Sequence, residues 1–385
     1  MELSEKYKHI KFKRHWIVST SLAFQLGQCD MLIKSISQLP LQPKYKDQLL
    51  SISLIKGAVA TTAIEGNTLT TEDVKKIQDG QSMPPSKEYQ EIEIKNILNA
   101  FNSIIRDVVG EKKFSLISPT LLKNFHKMVG KDLGEHFDAI PGKFRTDNRT
   151  VGNYRTPDYE DVEDLIKQLC NWLKNDFEVN NNQNYYDAII KAIVAHIYIE
   201  WIHPFADGNG RTGRLIEFFV LLRTGTPVIA SHILSNFYNE TRTEYYRQFE
   251  NARRKQDLTD FIAYAVQGYR DGLVQTFNII RDSLFDISWQ KLIYDSFTEK
   301  KYSSRQVFKR RRNLMLNIQV DTAYSLDEIV LINPKIAREY ANISERTVLR
   351  DLKELENLNL LIKVGNKYIA NTQLLAHLIP SSKEV

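Results

Sequence analysis

The chain has 385 residues, with 52 lysines and arginines against 47 aspartates and glutamates, a net charge of +5. That length suits two or three domains, and so mild a charge excludes a strongly polycationic protein while allowing a local basic patch. Two cysteines without metal-ligand spacing, charges rather than an apolar core in Met1 to Lys8, and no apolar run near the roughly 20 residues of a membrane span set the expectation of a cytoplasmic protein with no membrane partner.

With 16 glycines and 11 prolines among long periodic apolar segments, the chain is expected to be mainly α. Residues 10 to 56 read as helical, broken at Leu39-Pro40-Leu41-Gln42-Pro43. Thr61 and Glu65 stand four apart and so stack on one helix face, with Gly66 as a C-terminal stop. Gly80 to Ser86 reads as a linker, and Glu88 to Asp107 as a helix with Ile97, Phe101 and Ile104 in its apolar stripe. Ser118 caps a further helix with Pro119 at its first position. Past Gly142, Asp147-Asn148 offers the turn of a small β-hairpin. Tyr186 to Ile199 is apolar enough for a buried helix, and Pro204 interrupts it. Leu215, Phe218, Phe219 and Leu222 mark a second helix that starts near Arg211 or Thr212.

Beyond residue 292 the character changes. Ile336 to Tyr340 reads as the end of a short helix and Ala341-Asn342-Ile343 as a turn. Ser344 then caps a helix whose buried stripe is Val348, Leu352 and Leu355. Leu360 to Ile369 supplies two short strands around a Gly-Asn turn. Helix, turn, helix and hairpin resemble a winged helix-turn-helix domain over residues 292–378. Arg346, Arg350 and Lys353 share one face of its presumed recognition helix, placed for contact with DNA. Lys309-Arg310-Arg311-Arg312 adds basic character nearby, while Glu345, Asp351, Glu354 and Glu356 dilute it. The alternatives to DNA are protein contacts or a homodimer.

The stretch from His203 to Arg214 concentrates the chemistry. Gly208 and Gly210 let backbone N–H groups approach a ligand, and a helix beginning just after them favours anions. Arg211 and Arg214, three apart on the first turn, can reach one anion together. Asp207 beside such a cradle makes sense if a divalent cation, magnesium by its hardness, lies between carboxylate and phosphate. His203 is the one group in the stretch that titrates near neutrality, hence the general base. Together these residues read as phosphoryl-type transfer from a nucleotide to a hydroxyl.

His203-Pro204-Phe205-Ala206-Asp207-Gly208-Asn209-Gly210-Arg211-Thr212-Gly213-Arg214 fills every specified position of the Fic family signature, His-x-Phe-x-Asp/Glu-Gly-Asn-Gly-Arg-x-x-Arg. The resemblance spans residues 50 to 285 and implies a mainly helical Fic bundle that transfers AMP from ATP to a Ser, Thr or Tyr hydroxyl of a target protein or of itself, releasing pyrophosphate. By that resemblance His203 is the base, Asp207 the Mg2+ ligand, and Phe205 a core anchor. Gly208, Asn209, Gly210, Arg211, Thr212, Gly213 and Arg214 surround the phosphates, and Tyr246 lies in the segment that closes over the adenine. Thr61 to Gly66 fits the family's inhibitory pattern, Ser/Thr-x-x-x-Glu-Gly/Asn, which implies that Glu65 pairs with Arg214 and misaligns bound ATP. Gly142-Lys143-Phe144-Arg145, then Thr150, Val151 and Gly152, then Thr156-Pro157 and Val162 resemble the flap that holds a target by strand-like pairing.

The expected organisation is an N-terminal helical region at 1–85, with an inhibitory helix near 55–66, a catalytic core at 86–285 and the winged helix at 292–378. Two other functions stay open: removal of AMP from a modified protein by the same site, and a DNA-binding regulator with a nucleotide-sensing core.

Overall fold

The computed structural model describes residues 3–41, 43–111, 116–177, 185–298 and 304–376. Two compact units divide it, Met1–Phe277 and Asn278–Val385. In the first, α1 (Leu3–Lys6) is a single turn, and α2 (Thr20–Gln38) begins where the Leu22 N–H donates to Ser19 Oγ. Next come α3 (Pro43–Ala63) and α4 (Thr71–Gln78), the latter closed at its start by a reciprocal Thr70–Asp73 capping box. α5 (Glu88–Ile105) passes into a π-helical turn, and α6 (Pro119–Val129) has the Ser118 cap and leading proline that its sequence predicts. A hairpin of β1 (Thr150–Val151) and β2 (Tyr154–Arg155) precedes α7 (Val162–Phe177), α8 (Tyr185–Ile202) and α9 (Asn209–Arg223). α10 (Ile233–Glu240) and α11 (Arg242–Lys255) follow, then α12 (Thr259–Thr298), whose residues beyond Phe277 belong to the second unit.

α8 is the axis of this unit. Its residues from Ala188 to Ile199 are buried without a polar face, as expected of a helix packed on all sides. α9 lies against it, with Gly213 under the His196 ring, where an added Cβ would sit 3.1 Å from Nδ1.

Three expectations about this unit are corrected. Residues 10–19 are not helical, because their groups reach out to different helices: Tyr198 donates to the Lys11 carbonyl at 2.5 Å and the Ile17 N–H to Thr259 at 2.9 Å, while Trp16 stacks on Phe177. The flap turns at Gly152-Asn153, not at Asp147-Asn148. Gly152 takes φ +55°, whereas the Asn148 side chain is committed to the Tyr159 N–H at 2.9 Å. The helix after the glycine loop starts at Asn209, slightly earlier than its apolar spacing suggests, because left-handed Gly208 already caps it.

The second unit holds α13 (Arg305–Asn317), α14 (Leu326–Ile329), α15 (Pro334–Tyr340), α16 (Glu345–Asn357), then β3 (Leu361–Val364) paired antiparallel with β4 (Lys367–Ala370), and α17 (Gln373–Ala376). Its core gathers Trp289, Phe297, Leu314, Leu352, Leu355 and Tyr368. Ser344 stands at the N-cap of α16, but its hydroxyl pairs with that of Thr347 at 3.1 Å and makes no cap bond to the backbone. The run Lys309 to Arg312 is not the basic surface its sequence suggests. Arg310 and Arg311 are buried and donate to Asp351 at 2.8 and 2.7 Å, and Arg312 lies over the Tyr294 and Phe308 rings. Asp351, wholly buried, is an internal clasp and not a diluting surface charge.

The expected mainly α class holds, with two small hairpins among the described residues. No described helix is long and apolar enough to cross a membrane.

Candidate active site

α8 ends at Ile202, and the chain leaves it through His203, whose φ of +50° is left-handed and uncommon for a residue with a side chain. Pro204 cannot continue the helix, so the chain folds back over Phe205, fully buried. Phe205 stacks face to face on His126 of α6, ring centroids 3.7 Å apart. Its main chain is closed by Asn209, which accepts from the Phe205 N–H at 2.9 Å and donates to its carbonyl at 2.8 Å. The Asn209 side chain is therefore spent on holding the loop, leaving the helix-start N–H groups to meet a ligand.

His126 fixes the other side. Its Nδ1 accepts the Gly142 N–H at 2.9 Å, so the proton sits on Nε2, which donates to the Asp207 carbonyl at 2.9 Å. Burial pushes this imidazole down to about 4. Gly208, at φ +76°, has no room for a side chain: a Cβ would lie 2.9 Å from the Phe137 ring.

Burial also lowers His203 to about 4, and the nearby Arg145 charge adds to that effect. The imidazole is neutral at physiological pH and able to accept a proton. Arg145 donates through Nε to the His203 carbonyl at 2.7 Å.

Asp207 is one-third exposed; its Oδ1 accepts from Gly208 N–H and, at 3.0 Å, from Arg211. Arg211, nearly buried, also pairs with Glu93 of α5, and Glu93 in turn accepts from Asn67 at 3.0 Å. A chain of polar contacts thus runs from the segment after Glu65 to Asp207. One hard carboxylate facing an anion-favouring helix start fits magnesium, which takes few protein ligands and fills its shell with water and phosphate oxygens.

Arg214, 1 % exposed, donates to the Glu65 carboxylate at 2.5 Å and to the Thr61 carbonyl at 2.8 Å. Burial opposes ionisation of Glu65, but the Arg214 charge and hydrogen bond outweigh it and hold the carboxyl below its ordinary range. Glu65 lies beyond the last residue of α3, in the turn that left-handed Gly66 completes. Thr61 acts through its carbonyl; its buried hydroxyl has no hydrogen-bond partner. A Cβ on Gly210 would meet Glu65 Oε1 at 2.2 Å, so glycine there is what lets the carboxylate seat itself.

The remaining expected residues are spread around this centre. Thr212 is fully buried and Gly213 packs on α8, so both serve the helix contact. Tyr246, half exposed, reaches the Ile64 carbonyl at 3.4 Å, beside the Glu65 turn. Thr150 and Val151 are exposed on β1, with Gly152 in the turn. Arg346, Arg350 and Lys353 are exposed on α16 of the second unit, Lys353 pairing with Glu356 at 3.0 Å.

Glu93, His126, His196, Glu200 and Glu217 escaped sequence reading, whereas Arg145 falls in the segment that resembles the flap. His196 and Glu200 lie within the apolar run of α8, where a polar residue in an otherwise apolar helix was the available signal. His196 Nε2 meets the Tyr245 hydroxyl at 2.9 Å, and its Nδ1 lies 3.6 Å from buried Glu217.

Residues 116–221 match the family model described as Fic/DOC family. The chain carries a Fic domain. Curated relatives include protein adenylyltransferase fic-1 of Caenorhabditis elegans, 29 % identical over 207 residues, covering 54 % of this chain and 38 % of that protein. Protein adenylyltransferase Fic of Nematostella vectensis is 26 % identical over 207 residues, covering 54 % and 45 %. The chain thus spans less than half the length of these relatives. Among solved structures, a Fic family protein from Desulfovibrio desulfuricans superposes with a TM-score of 0.56 at 18 % identity, covering 92 % of this chain and 97 % of that one. A Fic-1 fragment from C. elegans, in a glutamate-to-glycine variant, gives 0.55 at 25 % identity, covering 68 % and 73 %. The Fic fold places the glycine loop at the joint between α8 and α9.

Proposed function

We propose that the Fic domain is a protein adenylyltransferase held in check by its own Glu65. ATP is the substrate, its phosphates lying at the α9 N-terminus and its AMP passing to a hydroxyl of a target protein or of this chain. The observation that carries the reading is the buried Arg214 engaged by Glu65 at the head of the helix that follows His203. An arginine so placed suits a terminal phosphate, and a carboxylate upon it competes for the same donors.

In this mechanism the neutral His203 takes the proton of the target hydroxyl as its oxygen attacks the α-phosphorus; the bond to the bridging oxygen breaks and pyrophosphate leaves. Backbone N–H groups of the loop and the α9 dipole stabilise charge on the phosphates. Asp207 would hold Mg2+, which when bound neutralises phosphate charge. Arg211 keeps Asp207 oriented. Glu65 restrains the reaction by keeping Arg214 from the γ-phosphate, and a displacement near 1 Å costs on the order of a hundredfold in rate.

The test is incorporation of α-labelled AMP into protein in a cell extract. Glu65→Gly should raise labelling by at least about tenfold, and His203→Ala in that background should abolish it. A Glu65→Gly protein that stays inert with ATP and magnesium sinks the proposal. Should the wild type instead strip label from modified proteins, AMP removal becomes the reading.

For the second unit we propose a winged-helix domain that meets DNA through Arg346, Arg350 and Lys353. Its order of helix, turn, helix and hairpin supports this, as does the exposure of those three side chains on α16. A cytoplasmic setting is in keeping with two buried, unpaired cysteines.

A further inference from the structure

The flap and the His203 turn are stitched together around one side chain. Arg145 is 5 % exposed, and every hydrogen bond from its guanidinium goes to a backbone carbonyl. Nε donates to His203 at 2.7 Å, Nη1 to Asp147 at 2.6 Å, and Nη2 to Pro157. Its own N–H donates to the Pro204 carbonyl at 3.0 Å. Asp147 and Pro157 flank the hairpin on its two sides, so one planar fork ties both feet of the flap to the residue whose backbone is left-handed. A second tether runs parallel: Tyr154 of β2 donates to the Trp201 carbonyl at 2.6 Å, two residues before His203. The flap therefore grips the chain on both sides of the bend.

We propose that Arg145 is a positioning residue that makes the flap and the His203 backbone one rigid part, so that a segment docked along β1 arrives in register with the imidazole. The proposal rests on the transfer reading above for its purpose, and on the contacts alone for its mechanics. A left-handed non-glycine residue persists only where its surroundings hold it, and here the holding groups belong to the flap. Lysine cannot replace the fork, since its compact ammonium lacks the planar, spread donors that reach the His203, Asp147 and Pro157 carbonyls together.

Hydrogen exchange on the full chain tests the mechanics. In Arg145→Lys, peptides covering 147–157 and 201–206 should lose protection together, each by about tenfold, while α2 keeps its own. Tyr154→Phe, which deletes one hydroxyl and leaves the core intact, should produce the same paired loss in smaller measure. Histidine NMR titration adds a second readout: Arg145→Gln removes a neighbouring cation, so the His203 pKa should rise. In the Glu65→Gly background, Arg145→Lys should cut AMP incorporation at least about tenfold and leave calorimetric affinity for ATP with magnesium unchanged. Loss of protection confined to the flap, a static His203 titration, or ATP affinity falling in step with rate would overturn the proposal. If Glu65→Gly is itself inert, the transfer reading fails, whereas exchange and titration still decide on Arg145.

Discussion

Glu200 sits where two carboxylates face one guanidinium. A Cβ on Gly210 would lie 2.2 Å from Glu65 Oε1, 3.1 Å from Glu200 Oε1 and 3.0 Å from Arg214 Nη1, so all three side chains converge on one point. Burial, followed by the Glu65 charge, raises Glu200 to about 8 against the pull of Arg214, and its Oε1 has no hydrogen-bond partner. At neutral pH Glu200 keeps its proton while Glu65 is ionised, the usual outcome for like charges sharing a site. Removing Glu65 takes away a like charge and frees Arg214, so the Glu200 pKa falls. Infrared spectra at pH 7 should show a protonated-carboxyl band that loses the Glu200 share in Glu200→Gln and weakens in Glu65→Gly, the remainder belonging to Glu217, whose pKa burial also raises. Persistence of the band at full strength in Glu65→Gly rules out this charge sharing.

His126 offers a second test at this scale. Protonation would put a hydrogen on Nδ1, against the Gly142 N–H it accepts from. Its folded pKa, about 4, lies below the unfolded value near 6.5. The neutral form stabilises the fold fully above pH 6.5, and that contribution is lost as pH falls from 6.5 towards 4, up to about 3 kcal/mol. His126→Gln keeps an acceptor and a donor without titrating, so its melting temperature should fall less than that of the wild type across this window. Parallel curves would show that His126 contributes nothing to the acid sensitivity.

Among the elements, α16 separates what charge counting reads from what packing makes of it. Asp351 looks like one more acidic residue on a mixed helix, yet it is the buried partner of Arg310 and Arg311, with the Tyr340 hydroxyl 3.3 Å away. Removing one member of such a cluster leaves charge uncompensated in the interior, which costs about 3–5 kcal/mol. Asp351→Ala should therefore destabilise the second unit by that amount in urea unfolding followed by hydrogen exchange of 305–370. A change within ±0.5 kcal/mol, usual for a surface site, would return Asp351 to the surface role its sequence suggests. The β1–β2 hairpin carries a similar lesson. Its register depends on Gly152 taking positive φ, and the polar Asp147-Asn148 pair, equally good turn material by sequence, is held elsewhere by Arg145 and Tyr159.

At the scale of the whole molecule, two compact units share a chain with only modest excess charge. With Arg310 and Arg311 engaged internally, the proposed contact with DNA would rest on exposed cations such as Arg346, Arg350 and Lys353 of α16. Each phosphate so neutralised would add close to one unit to the slope of the salt dependence. In the intact protein, Arg350→Ala should weaken association with duplex DNA and reduce that slope by about one. Absence of any salt-sensitive association in the wild type would remove DNA from its partners.

The sequence by itself determined the helical class, the two helices flanking the glycine loop, the small hairpins, and the residue types at the loop, because local periodicity, proline and glycine act on near neighbours. It also marked Glu65 through the inhibitory pattern, though as a residue on a helix face with Thr61, where the structure sets it in the turn just past α3. The family resemblance already implied that Glu65 reaches Arg214, but only the tertiary structure decided that Arg145 joins flap to bend, that His126 backs Phe205, and that Asp351 is interior. These pairs lie far apart in the chain, and their partners are set by which helices pack together. Burial then fixes their charge states, and burial is a property of the assembled fold that no single segment carries.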